Sequence, residues 1–236
     1  MSRKLFLSAV IAIALMSAAS VQADTVVASG AGSLPGTAED LTGMNVTEIQ
    51  GSIPGMPDEL GVDMFKIDIT DFANFSAITT GPGAFGIPDT VLFLFDASGF
   101  GVMANDDIDG GNTLSCLPAA GPSNPCESTL PSGVGPTSDG DYFLAITRSQ
   151  QLPLDASLNE IFTIFNSTDV VGPNSGVGAV AGWDGGVFTN PDFDLTNYDI
   201  LLTGTGPVTA PEPGTLALIS AGIVGIFLRR KQQARS

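Results

Sequence analysis

Histidine is absent from the 236 residues of this chain. Its absence rules out the Ser-His-Asp and Cys-His nucleophile arrangements and removes the commonest nitrogen ligand of zinc. A Gly-x-Ser-x-Gly elbow and a glycine-rich phosphate loop followed by lysine are also missing, so several hydrolase and nucleotide-dependent classes drop out. Basic residues are nearly as scarce. Six of the eight (Arg3, Lys4, Arg229, Arg230, Lys231 and Arg235) sit near the two ends. Residues 24–213 hold only Lys66 and Arg148 against all 25 acidic residues, a formal charge of −23. That balance excludes nucleic acid, because binding a polyanion requires clustered cations that displace its counterions. An anionic membrane surface would repel this body as well. The same acidity favours solubility outside the cell and attracts divalent cations.

Aromatic surface of the kind that stacks on sugars is thin: Trp183, Tyr142 and Tyr198, with phenylalanine mostly at apparent core positions. Trp183 stands in Gly182-Trp183-Asp184-Gly185-Gly186, a loop setting in which an indole either stacks on a ligand or packs over the end of a sheet. Acids are plentiful, yet nothing in their order marks a catalytic pair. The leading reading is a non-catalytic protein, its alternative a calcium-dependent carbohydrate-binding or adhesion module, and a carboxylate-based enzyme acting on polysaccharide ranks below both.

No interior segment sustains a 3.6-residue apolar period. Instead the chain offers short runs bounded by Gly, Pro, Asn and Asp. In Asp63-Met64-Phe65-Lys66-Ile67-Asp68-Ile69 the residues Phe65, Ile67 and Ile69 share one face, the two-residue period of a half-buried strand. Thr90-Val91-Leu92-Phe93-Leu94-Phe95 is apolar on both faces and ends at the turn signal Asp96-Ala97-Ser98-Gly99, so it reads as a central strand with residues 100–103 returning as its hairpin partner. Further strands are expected at 75–79, 141–147, 160–165 and 198–203. The expected fold is all-β, an antiparallel β-sandwich with a jelly roll as its preferred form, occupying residues 62–206. Residues 24–61, rich in Gly, Pro, Thr and Ser, read as a loosely structured approach with one strand near 46–50.

Cys116 and Cys126 are the only cysteines, and in an exported chain such a pair reads as a disulfide closing a short loop. Just before them, Asn105-Asp106-Asp107-Ile108-Asp109-Gly110 places oxygens at Asn105, Asp107 and Asp109 ahead of a turn-forming glycine, the opening of a calcium loop. The twelfth position of such a loop would be Cys116 rather than glutamate, so further ligands would have to come from carbonyls or from carboxylates such as Asp96 or Asp139. A solvated Asx-rich hairpin loop is the competing reading. The pattern from Asp89 through Asp96-Ala97-Ser98-Gly99, Asn105-Asp106-Asp107 and Gly140-Asp141-Tyr142 resembles the bacterial pre-peptidase C-terminal domain, a calcium-associated jelly roll often appended to secreted proteases. No protease segment accompanies it, so the resemblance speaks to architecture and leaves the activity open.

The two ends carry addresses. Arg3 and Lys4 precede an apolar stretch over 5–16, and Val21-Gln22-Ala23 has the small-x-small form of a signal-peptidase site, so residues 1–23 are expected to form a signal helix removed by signal peptidase after delivery to the general secretion machinery. At the other end a linker, 207–213, closes with Pro211-Glu212-Pro213. It leads into an apolar anchor over 214–228 and a basic tail, 229–236, that opens with Arg229-Arg230-Lys231. The uninterrupted run of 14 residues from Thr215 spans about 21 Å as a helix against roughly 30 Å of hydrocarbon, a short membrane helix suited to provisional anchoring. Its flanking cations resist translocation and set the tail inside and the body outside. Proline on both sides of Glu212 disfavours helix there and presents an extended segment to a processing enzyme. This arrangement resembles the PEP-CTERM signal of Gram-negative bacteria. The resemblance implies recognition by an exosortase, a membrane transpeptidase, and transient inner-membrane association. It also implies release to the cell surface or to an extracellular polysaccharide matrix. The alternative is a tail-anchored protein in which Pro-Glu-Pro is only a linker.

Overall fold

The computed structural model describes residues 23–53, 61–80, 89–122, 124–126, 128–148, 151–164, 168–184 and 196–206. Three segments rich in apolar and aromatic residues pair at its centre. β4 (Val62–Ile69), β9 (Gly140–Arg148) and β6 (Thr90–Asp96) run antiparallel, with Phe65 opposite Leu144 and Leu144 opposite Leu94. β7 (Gly101–Asn105) extends this sheet beyond β6, and β2 (Glu39–Asp40) adds to its other edge in parallel with β4. A second five-stranded sheet begins at one edge with β1 (Asp24–Val27), parallel to β3 (Val46–Ile53). It continues through β12 (Thr196–Thr203) and β5 (Ser76–Thr80) to β8 (Cys116–Leu117). β10 (Pro153–Asp155) and β11 (Val180–Trp183) form a separate two-stranded ribbon.

The two large sheets stack as a sandwich. Ile49, Ile53, Ala77, Ile200 and Leu202 of one meet Phe65, Ile67, Ile69, Leu92, Leu94, Leu144 and Ile146 of the other in a single core. The opposite face of the β2-β4-β9-β6-β7 sheet is also covered. Met64, Phe93, Phe95, Phe143 and Ala145 lie beneath the ribbon and residues 161–164, with Leu34 and Ala38 of the amino-terminal segment packed against them. Six of the seven β6 residues are buried, which is why its sequence shows no alternation. Trp183 is buried in this second core with ring centroids 5.5 Å from Phe93 and 6.4 Å from Phe95, and its indole N–H donates to the Ser33 carbonyl at 2.6 Å. Of the two readings for that indole, packing over the sheet is the one observed.

Three expectations are corrected. Of the approach expected to be loosely structured over 24–61, residues 24–53 supply β1, β2 and the eight-residue strand β3, which lies inside its sheet. Its two parallel pairings, β1 with β3 and β2 with β4, make both sheets mixed rather than purely antiparallel. Finally, residues 160–164 form no strand. Asp155 accepts backbone N–H groups from Ser157, Asn159 and Gly178 at 2.8, 2.9 and 3.0 Å, and this turns the chain back so that Ile161 N–H reaches the Pro153 carbonyl at 2.9 Å. Asn174 then satisfies this segment's backbone, with its N–H on the Ile161 carbonyl and its Nδ2 on the Glu160 carbonyl, while Ile161, Phe162 and Ile164 fill the second core. Those three donors hold the Asp155 carboxyl down at about 2, led by Gly178, with further help from the Asn159 side chain. Among the described residues there is no helix, and none long and apolar enough to cross a membrane. All but the last residue of the expected signal helix over 1–23, and the anchor over 214–228, lie outside the described residues.

A polar contact also sits inside the sandwich. Asp63 falls on the inward face of β4, and its carboxylate accepts the Tyr198 phenol at 2.5 Å. Burial raises the pKa of Asp63 despite that bond, and burial together with the adjacent carboxylate raises that of the phenol. Tyr198 pairs across the ladder with Gly51, and a Cβ at Gly51 would collide with the phenol ring and its oxygen. The glycine is the space the tyrosine occupies. Gly51→Ala is expected to destabilise the protein by about 1–3 kcal/mol, the cost of overpacking a filled core, measured as a drop in denaturation midpoint at unchanged m-value. Reducing the Cys116–Cys126 bond is expected to remove about 2.5–3 kcal/mol, the chain-entropy value for so short a loop, read in the same assay with and without reductant.

Candidate functional site

The antiparallel ladder of β6 and β7 places Leu92 opposite Asn105. Continued a few residues past the paired region, that register brings the chain just before β6 alongside the chain just after β7. The acidic residues Asp89, Asp106 and Asp107 occupy those positions, and one carboxylate oxygen from each lies within 4.8 Å of the others. Asp89 is exposed, Asp107 half-buried and Asp106 only 6 % exposed, with an Oδ1 that is buried and has no hydrogen-bond partner.

The surrounding loop is held by side chains that the sequence singled out for another role. Asn105 is fully buried: its Oδ1 accepts the Cys116 N–H at 2.8 Å and its Nδ2 donates to the Asp107 carbonyl at 3.1 Å. Asp109 Oδ1 accepts the Gly111 N–H at 2.8 Å, an Asx turn closing the tip of the loop. Of the expected set Asn105, Asp107 and Asp109, only Asp107 joins the converging carboxylates. The remote candidates are committed elsewhere. Asp96 accepts the N–H groups of Ser98 and Phe100 in the β6–β7 turn, and Asp139 accepts that of Phe72. Cys116 and Cys126 are bonded to each other as expected, with Cα atoms 5.8 Å apart.

A buried hydroxyl network anchors the other side of the loop. Thr90 Oγ1 lies 3.1 Å from Thr79 Oγ1 and 2.9 Å from Ser115 Oγ, and the Ser115 hydroxyl also donates to the Thr90 carbonyl. Thr79 belongs to one sheet and Thr90 to the other, so this network and the adjoining disulfide close the end of the sandwich where the carboxylates gather. Two open grooves lie in this part of the molecule, the first of them against the loop. One of about 390 Å³ is lined by Ile108, Asp109, Ser128, Thr129, Thr168 and Asp169. The other, of about 450 Å³, lies between residues 119–124 and 129–134.

Electrostatics follow from this crowding. Burial first, then the charges of Asp107 and Asp89, push Asp106 up to about 7. Burial, Asp89 and Asp109 raise Asp107 in turn. In the unfolded chain Asp106 would titrate near the ordinary aspartate value of about 3.9, so between that pH and 7 the folded state holds the extra proton. Its stabilising contribution is complete below pH 4 and is lost as pH rises through 7. In the presence of chelator, wild-type protein is therefore expected to lose melting temperature from pH 5 to pH 8. Asp106→Asn is expected to flatten that decline and to melt about 2–4 °C above wild type at pH 8, by differential scanning fluorimetry.

The sorting residues Pro211, Glu212, Pro213, Arg229, Arg230 and Lys231 lie outside the described residues. No curated protein matches the chain. Residues 209–231 match the PEP-CTERM protein-sorting motif, a span that contains all six of these residues and marks the protein for export and processing by an exosortase.

Proposed function

We propose that this is a non-catalytic, exported protein that exosortase processing delivers to the cell surface or the extracellular polysaccharide matrix of a Gram-negative bacterium, where its acidic β-sandwich has a structural or binding role. The sorting-motif match over 209–231 is the observation that carries this reading. The physical logic of the tail's sequence supports it: an apolar run short for a membrane span, a cluster of cations that resists translocation, and a glutamate whose flanking prolines disfavour helix.

A binding rather than catalytic role draws support from the body. The chain has no histidine, its tryptophan is spent on the second core, and both cysteines are joined. The groove beside Asp109 presents Ser128, Thr129, Thr168 and two carboxylates, groups that exchange hydrogen bonds with sugar hydroxyls.

Mass spectrometry of the cell-surface and membrane fractions tests the reading. The expected product lacks the residues after the Pro-Glu-Pro segment and is recovered outside the inner membrane. Deleting residues 211–236 is expected to abolish surface delivery while leaving export intact. Recovery of the chain intact through Ser236 in the inner membrane, or surface delivery unchanged by the deletion, would overturn it.

A further inference from the structure

We infer that Asp89, Asp106 and Asp107 form a binding site for a hard divalent cation, with calcium as the fitting ion, which ties the chain before β6 to the chain after β7. The site differs from the Asn105, Asp107 and Asp109 set that the loop pattern suggests, and it does not depend on the fate of the carboxyl-terminal tail.

Two independent observations support it. The first is convergence: three carboxylate oxygens lie within 4.8 Å of one another. Two oxygens that each sit about 2.4 Å from one calcium ion can be at most about 4.8 Å apart, so the spacing is compatible with shared ligation once the side chains draw in on the ion. The second is the state of Asp106. Its residue is 6 % exposed, and its Oδ1 is buried with no donor in the protein to receive. A solvated acidic patch does not place an unpartnered carboxylate oxygen in the interior, because such a group loses its hydration and gains nothing in return. A cation supplies the missing partner and cancels the repulsion among the three charges.

The donor set selects the class of ion. It is all oxygen, the chain has no histidine, and both thiols are bonded to each other, so zinc, copper and iron find none of their preferred ligands here. Calcium takes six to eight oxygens in irregular geometry, and the exposed side of Asp89 leaves room for water to complete the shell. Asp89 and Asp106 are 17 positions apart, so the ion would cross-link the base of the β6–β7 hairpin.

The test uses the full chain, purified in mild detergent and stripped with chelator at pH 8, where protons compete least for the carboxylates. Calcium chloride is compared with sodium chloride of equal ionic strength. Calcium at about a hundred times its Kd is expected to raise the melting temperature by roughly 5–10 °C. Asp106→Asn and Asp89→Asn are expected to abolish the rise, while Asp109→Asn keeps it. Both variants are also melted in chelator, where a cooperative transition within a few degrees of wild type separates loss of the ion from misfolding. No calcium-specific rise in the wild type, or a rise that survives both Asp106→Asn and Asp89→Asn, would overturn the assignment.

Discussion

Burial of one sheet on both faces is the constraint around which this molecule is arranged. β6 and its neighbour β9 are apolar above and below, so a second sheet on one side leaves Phe93, Phe95 and Phe143 facing water on the other. The remaining parts of the body answer that need. The β10–β11 ribbon, residues 161–164 and part of the amino-terminal segment lie over the exposed side, and Trp183 completes an aromatic group with Phe93, Phe95 and Phe162. Aromatic contacts of this kind contribute about 0.5–1.5 kcal/mol per pair beyond the area they bury. The second core is therefore a substantial part of what holds the sandwich together.

What could be read from the sequence follows from how each strand is held. β4, β6, β9 and β12 carry their own signal, a two-residue period or a dense apolar run, because side-chain burial fixes their place. β1, β2 and β8 carry none. They are two to four residues long and belong to their sheets through backbone hydrogen bonds at the edges, which leave no periodic trace. Residues 160–164 misled for the opposite reason. Their apolar content reports burial, and a run without alternation does not distinguish a strand from an irregular cover whose backbone is satisfied by Asn174.

The acidic site shows the same division. The density of carboxylates between β7 and the cysteine loop was legible, but their partition was not. Spacing alone grouped Asn105 with Asp107 and Asp109, whereas strand geometry turns Asn105 inward to hold the Cys116 backbone and commits Asp109 to its own turn. Asp89 was invisible as a partner because only the hairpin register, Leu92 opposite Asn105, carries it across. Given that register, its position could have been counted off by hand.

The position of β12 bears on how such a protein comes to be folded at all. It is the last strand among the described residues, yet it lies third of five in its sheet, between β3 and β5. A polypeptide threaded through a membrane amino end first would present β3 and β5 with nothing yet between them, two unsatisfied edges waiting for a strand still in transit. The sheet can zip shut only when residue 203 has emerged, a few residues ahead of the sorting motif at 209–231. Completion of the fold thus coincides with arrival of the sorting motif, and a late central strand finds its slot only when nearly the whole body has crossed.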